Sequence, residues 1–448
     1  MSLASGVEHS GPHERASQGV RGTKSLEEAE AVYTRVTWRL LPFLILCYVV
    51  AYLDRVNVGF ARLQMLGDLG FSETVYGLGA GMFFIGYFLF EVPSNLLLHR
   101  VGARLWIGRI MITWGLVSAS FMFIRTPASF YTLRFILGIA EAGFFPGIIL
   151  YLTYWYPSDR RARMVALFMA APPLAGVFGG PLSGWIMESF AGRAGMPGWQ
   201  WLFLLEAVPA IIVGLVVLIY LDNGIRSAKW LTDVEKSFLE ERIAQDRTAT
   251  VEHASLAHVF SDRRLWRLCL IYFCCVMGHY GLTFWMPVLV QSAGVAGTFR
   301  IGLFTAIPYS AAVIVMVLLG ANADRHRERR WHAAIPMTIG AIFLSLSAMA
   351  GTHTLVAMVC LTIAAAGVLS SGALFWSLPT AFLGGVSAAA GIAAINSVGN
   401  LAGFVSPYVV GWLKDLTHST EAGMFAVSSV LVVGALAILT IEARLVNR

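Results

Sequence analysis

The sequence predicts an all-α membrane protein: twelve transmembrane helices in two pseudo-symmetric six-helix bundles. Composition is the first reason. Of 448 residues, 57% are hydrophobic and only 13% charged, where a soluble chain carries about a quarter charged residues. Patterning is the second. The apolar residues come in blocks of about 20, long enough to cross a ~30 Å hydrocarbon core as a helix. The third is a polar loop pattern that recurs in the two halves. A formal net charge of +6 gives no sign of a nucleic-acid partner, because the basic residues are parcelled into short loops.

Residues 1–37 read as an N-terminal tail. Its first thirty or so positions are rich in Ser, Gly, His and Glu and are expected to be disordered. No apolar run precedes Leu40, so no cleaved signal peptide is expected and the first span doubles as the insertion signal. The first bundle, 38–221, holds spans near 40–60, 75–98, 105–124, 128–151, 164–188 and 200–221. A polar linker follows at 222–265. Within it Thr232 and Glu235 form a capping-box pattern ahead of an amphipathic run, which predicts a short interfacial helix. The second bundle, 266–448, holds spans near 266–291, 301–322, 332–350, 354–376, 380–412 and 420–443. The eleventh block is overlong, with a turn expected near Gly384–Gly385 and a helix from about Ser387.

Loop charges set the orientation. Arg100, Arg104, Arg160, Arg161, Arg163, Arg226, Lys229, Arg263, Arg264, Arg325, Arg327, Arg329 and Arg330 fall on one side. Only Arg62, Arg125, Arg193, Arg300 and Lys414 fall on the other. The positive-inside rule then puts both termini of a multi-pass protein in the cytoplasm, and a bacterial inner membrane is the expected location. The five cysteines all lie within spans and have no CxxC or Cys/His metal spacing, so they read as small apolar packing residues.

The loop after the second span reads Asn95-Leu-Leu-Leu-His99-Arg100-Val-Gly102-Ala-Arg104, and the loop after the eighth reads Gly320-Ala-Asn322-Ala-Asp324-Arg325 through Arg329. Equivalent positions in two six-helix halves imply a parallel duplication. Charge also lies within the spans. Asp54 and Arg55 sit side by side in the first, Arg134 and Glu141 in the fourth. Charge at membrane depth costs about 2.5–3.5 kcal/mol per residue on the insertion scale, which points to a polar cavity with a function.

These features together resemble the major facilitator superfamily. The second-half loop (Gly320, Asp324, Arg325, Arg329, Arg330) matches that family's signature, while His99 departs from it where an acid is usual. The resemblance implies an inner gate at Arg100, Arg104, Asp324, Arg325 and Arg329. Tyr52-Leu-Asp54-Arg55-Val-Asn57, Gly86 through Asn95 and Leu133 through Gly143 look like its anion:cation symporter family. Trp199 through Glu206 and Gly399 through Asp415 look most like the tartrate and hydroxyphenylacetate carriers, a branch the chain resembles along with the phthalate carriers. A carrier importing a small organic carboxylate with protons is the implied function.

Arg134 and Glu141 are seven apart and share a helical face, about 10 Å apart along the axis. With spans alternating in direction, Asp54 and Arg134 lie at similar depth, so Arg134 is expected to face Asp54 and to reach toward Glu141. Adjacent residues point about 100° apart, so Asp54 is assigned to proton coupling with Arg134 and Glu141, and Arg55 to the cargo. Two carboxylates and two guanidiniums make the empty cavity neutral. An organic anion makes it negative, and a proton restores the balance. Tyr52 and Tyr87 are expected to line the cavity, as is His279 as a ligand for a second carboxylate or hydroxyl. Asn396 and Asn400 share a helical face, and the resemblance implies that one of them binds cargo. Glu91 and Glu206 read as gate or packing carboxylates, and Arg109 as an inner-gate or snorkelling group. Gly176 through Gly184 resembles an antiporter motif, although small residues there also permit close helix packing. No cofactor or metal is implied, and a monomer is expected to suffice. With no HExxH, P-loop or nucleophile triad the chain does not read as an enzyme. An exchanger or exporter of organic anions is the alternative, and a transporter-like sensor, which lacks a sizeable soluble domain here, the more distant one.

Overall fold

A bilayer leaves the backbone of an apolar block no partner but itself, so such blocks become helices. The computed structural model describes residues 12–248, 262–379 and 385–446, and every regular element in them is helical. The first half contains α1 (Pro12–Leu69), α2 (Glu73–Val101), α3 (Ala103–Ser120), α4 (Pro127–Glu141), α5 (Phe144–Thr153), α6 (Ser158–Phe168), α7 (Ala171–Ser189) and α8 (Gly198–Tyr220). The linker carries α9 (Asp233–Thr248). The second half contains α10 (Arg263–Ser292), α11 (Thr298–His326), α12 (Arg330–Met349), α13 (Thr354–Phe375), α14 (Gly385–Thr417), α15 (Thr420–Leu439) and the short α16 (Ala443–Val446).

Among the described residues 11 spans are long and apolar enough to cross a membrane. Helix α14 supplies the twelfth. It turns polar side chains onto other helices, among them Asn396, Asn400 and Ser406. Large apolar side chains such as Ile219, Leu318 and Leu436 remain exposed on the outside of the bundle, as a lipid-facing surface requires. All five cysteines are buried and unbonded. Gly384 and the rest of 380–384, where a turn is expected, lie outside the described residues, as do residues 1–11 and 249–261.

The first span departs from expectation at both ends. Residues 12–37 are helical and continuous with it, because Tyr33 and Val36 are buried and Tyr33 stacks against Tyr156 and Phe238. At the other end the helix runs to Leu69 and stops at Gly70, whose φ of 65° only glycine adopts without strain. Two spans are broken by proline. Pro146 removes a hydrogen bond to Ala142 and crowds its carbonyl, so α4 ends at Glu141 and α5 restarts at Phe144. Pro172 and Pro173 do the same between α6 and α7.

The halves meet chiefly along two helix pairs, α7 with α11 and α2 with α14, with α1 against α10 between them. Their closest approach uses glycine: a Cβ on Gly180 would strike Thr305, and one on Gly77 would strike the backbone of Pro407. Gly176 likewise lies against the ring of Tyr309. The glycine run of the fifth span is thus a helix-packing surface. On the linker side, Thr232 Oγ1 accepts from the Glu235 amide (3.3 Å) and Glu235 returns a bond to the Thr232 amide (2.8 Å). Glu235 also pairs with Arg35 of α1 at 2.6 Å. The Thr232 amide bond, together with the Thr232 hydroxyl and Arg35, outweighs partial burial and holds the Glu235 carboxyl below its ordinary value.

Candidate functional site

Helix α1 sends consecutive side chains in different directions, and this organises the site. Arg55 points between the halves. Its Nη2 pairs with Glu141 at the end of α4, and its Nη1 donates to the Tyr280 hydroxyl of α10 at 3.3 Å. The ion pair is enclosed: the Arg55 side chain is 9% exposed and that of Glu141 1%. Aromatic rings surround the guanidinium, with Phe83, Tyr87 and Tyr52 centroids at 5.1, 5.4 and 5.8 Å. Tyr52 continues across the interface, its hydroxyl bonded to His279 Nε2 of α10.

Asp54, one residue earlier, faces away from this chamber. Its carboxylate accepts from Trp114 Nε1 (3.0 Å) and Ser118 Oγ (2.8 Å), both on α3. Arg134 is fully buried and turns toward α2, donating to the carbonyls of Gly79 (3.3 Å) and Ala80 (3.1 Å). The expected Asp54–Arg134 pair is therefore not formed, and Glu141 pairs with Arg55 instead of Arg134. Depth is not the cause. Counted from the Arg62–Glu73 tie, Asp54 lies about 12 Å along α1 and the Arg134 carbonyl partners about 10 Å along α2. Direction decides: the faces carrying Asp54 and Arg134 look at α3 and α2, not at each other.

Asn396 and Asn400 both turn to the same group. Their amides donate to Glu91 of α2, at 3.2 and 3.5 Å. Glu91 thus links the halves, a role its position near a span end did not reveal. Tyr87 lies one helical turn from it, between Glu91 and Arg55.

At the ends of the bundle the two faces differ. On the face opposite the linker, Arg62 grips Glu73 with Nε at 2.8 Å and with Nη2, and Lys414 joins Glu73 at 3.0 Å. Asp415 accepts from the Thr74 (2.7 Å) and Glu73 (3.1 Å) amides and so caps α2 from the other half. Trp285 lies beneath both cations, at 4.8 Å from Arg62 and 5.5 Å from Lys414. On the linker face Arg100, Arg104, Asp324 and Arg325 are exposed and joined by no ion pair among the described residues, while Arg329 donates to the Ser377 carbonyl at 3.1 Å. The only sequence signal of the Glu73–Lys414–Asp415 cluster is acids and bases placed at far-face span ends. Trp114 and Ser118 were missed, although their i, i+4 spacing puts them on one face of α3.

The model of the Major Facilitator Superfamily matches residues 44–407. A Pseudomonas putida protein named putative metabolite transport protein NicT is 49% identical over 94% of this chain and 96% of its own length. An Agrobacterium vitis putative tartrate transporter is 48% identical over 90% of each chain. A quinolone resistance transporter of Acinetobacter baumannii is 41% identical over 92% of this chain and 95% of its own. Among solved structures, a bacterial homologue of the human lysosomal transporter Spinster, captured inward-facing, superposes with a TM-score of 0.72 at 16% identity, covering 89% of this chain and 95% of that one. The chain is accordingly a member of the major facilitator superfamily, a multi-pass membrane transporter of small molecules and not an enzyme.

Proposed function

We propose that this transporter is a symporter that carries a small organic carboxylate inward together with protons. The observation that supports this best is the enclosed Arg55–Glu141 pair, walled by aromatic rings and touched by Tyr280 of the other half. A cargo carboxylate is the natural competitor for Arg55, since a guanidinium fork holds a carboxylate bidentately. Protonating Glu141 releases Arg55 to the cargo, so each ligand favours the other. Asp54, held by neutral donors and no cation, is the second proton carrier. Arg134 sets a positive potential behind Glu141.

One freed cation and a ring-lined wall favour a monocarboxylate, small aromatic acids foremost, with His279, Asn396 and Asn400 selecting among them. The relatives named as tartrate transporters keep hydroxy acids in the test set. With the linker and both termini in the cytoplasm of a bacterial inner membrane, the latch at Glu73, Lys414 and Asp415 closes the outer face. Bundles 38–221 and 266–448 rock about the site, and Arg100, Arg104, Asp324, Arg325 and Arg329 come together when the inner face closes.

Proteoliposome uptake of tartrate and of 4-hydroxybenzoate under an inward proton gradient tests this. Wild-type uptake of at least one acid rises with the gradient, and Glu141→Gln uncouples it while retaining exchange of labelled for unlabelled acid. Gradient-driven uptake left unchanged in Glu141→Gln and Asp54→Asn would falsify the mechanism. The second reading, an exporter, has in its favour the relative named for quinolone resistance. Reversing the gradient separates the two.

A further inference from the structure

A second buried carboxylate lies behind Asp54, away from the Arg55 chamber. Glu206 of α8 is 2% exposed and Asp54 1%. Glu206 Oε1 accepts from Ser183 Oγ of α7 at 2.6 Å, and its Oε2 has no hydrogen-bond partner. Asn57, one turn beyond Asp54 on α1, is the other polar group beside Glu206. It is 1% exposed, neither its Oδ1 nor its Nδ2 has a partner at full hydrogen-bond geometry, and its amide lies close enough to act on the Glu206 carboxylate. Glu206 in turn acts electrostatically on Asp54, as does Glu141 of α4. No cation pairs with Glu206 or Asp54 among the described residues; the buried ion pairs are Arg55–Glu141 and Arg62–Glu73.

Two uncompensated carboxylates at membrane depth are costly when both are ionised. A proton on Glu206 Oε2 removes one charge. With the Asn57 amide turned to present Oδ1, it also gives that oxygen a donor, satisfying two of the orphaned atoms at once. Access comes from the other side. Ser183 lines a crevice of about 20 Å³ between the halves, bounded also by Gly179, Gly180, Thr283, Thr305 and Tyr309, and a space of that size admits one water. This crevice runs beside the α7–α11 contact, where Gly180 meets Thr305, so separating those helices opens it.

We propose that Glu206 is a proton-relay residue. In the described conformation its Oε2–H donates to Asn57 Oδ1. That proton passes to the ionised Asp54, one O–H bond breaking on Glu206 as one forms on Asp54, with Asn57 positioning the transfer. When α7 and α11 part, the resulting Glu206 carboxylate is reprotonated by a hydronium at the Ser183 side, which leaves as water. The relay rests on the proton-coupled reading above, but the first readout does not depend on it.

Purified protein in lipid vesicles, with the proton as the only ligand, is compared by infrared difference spectroscopy with Glu206→Gln. The carbonyl band of a protonated carboxylic acid in the wild type, sensitive to H/D exchange, loses one component in the variant. An unchanged band means Glu206 holds no proton and overturns the proposal. Uptake of tartrate and 4-hydroxybenzoate against external pH is the second readout. Glu206→Gln lowers gradient-driven uptake about tenfold and flattens its pH profile, with partial recovery in Glu206→Asp. Wild-type uptake indifferent to the gradient counts against proton coupling itself. A gradient-driven wild type with an unaltered Glu206→Gln profile counts against the relay alone. Should Glu206→Gln fail to fold, Ser183→Ala and Asn57→Leu take its place: a displaced pH profile in both supports the relay, and an unmoved profile in both overturns it.

Discussion

Every buried charged side chain among the described residues belongs to the first half: Asp54, Arg55, Arg62, Glu91, Arg134, Glu141 and Glu206. The buried polar groups of the second half are hydroxyls, those of Thr283, Thr305, Ser347, Ser370, Ser371, Ser406 and Ser428. The partners it offers across the interface are neutral too: His279, Tyr280, Asn396 and Asn400. Its charged contribution at the interface, Lys414 and Asp415, sits at the rim. Two halves with one architecture therefore carry different chemistry. In the proposed cycle, charge bound and released is confined to the first bundle, while the other supplies shape and hydrogen bonds. A neutral half can close over the site without moving its own buried charges through a low dielectric.

The division is attacked most directly at Arg55. Arg55→Gln strands the Glu141 carboxylate and is expected to cost about 3–5 kcal/mol of stability, together with loss of uptake. Adding Glu141→Gln recovers most of the stability and none of the uptake. Thermal melting of the single and double variants in detergent checks the first part and vesicle uptake the second. A double variant no more stable than the single one would mean the pair is not the unit that matters.

His279→Phe probes the neutral half. It removes the Tyr52 partner while keeping a ring, and a lost hydrogen bond of about 1 kcal/mol shifts the relative uptake of competing acids several-fold. The pH dependence of uptake stays as in the wild type. A moved pH profile would show that the second half takes part in proton handling and would erase the distinction.

The smallest effect is expected at the rim. Asp415→Ala removes the cap on α2, a change of about 1 kcal/mol for such acids. That corresponds to a roughly fivefold shift toward a conformation with the face opposite the linker opened. Spin-label distances between α2 and α14 at that face report the population. An unchanged distribution would leave the Arg62–Glu73–Lys414 cluster as the whole latch.

Much of this was readable from the chain. Apolar blocks of membrane length gave the helices, because hydropathy acts locally and the bilayer enforces helix formation. The loop cations of the two halves marked the duplication, and the charged residues within spans marked the candidate site. Pairing was harder. Asp54 and Arg134 share a depth but not a direction, and Trp114 and Ser118 attract no notice in an apolar segment. Glu206 looks like a residue near a span end until Ser183 and Asn57 are set beside it.

Sequence by itself determined the helices and which residues carry charge into the membrane, since each follows from a few neighbouring positions, whereas the breaks at Pro146 and at Pro172–Pro173 fall inside spans that read as continuous. The tertiary structure alone decided the partners: Arg55 with Glu141, Asp54 with α3, Arg134 with the α2 backbone, Glu91 with both asparagines. The reason is rotational. A helix fixes a side chain's height at 1.5 Å per residue, but its neighbour across the gap depends on how each helix is turned about its own axis, which only the packing of the whole bundle sets.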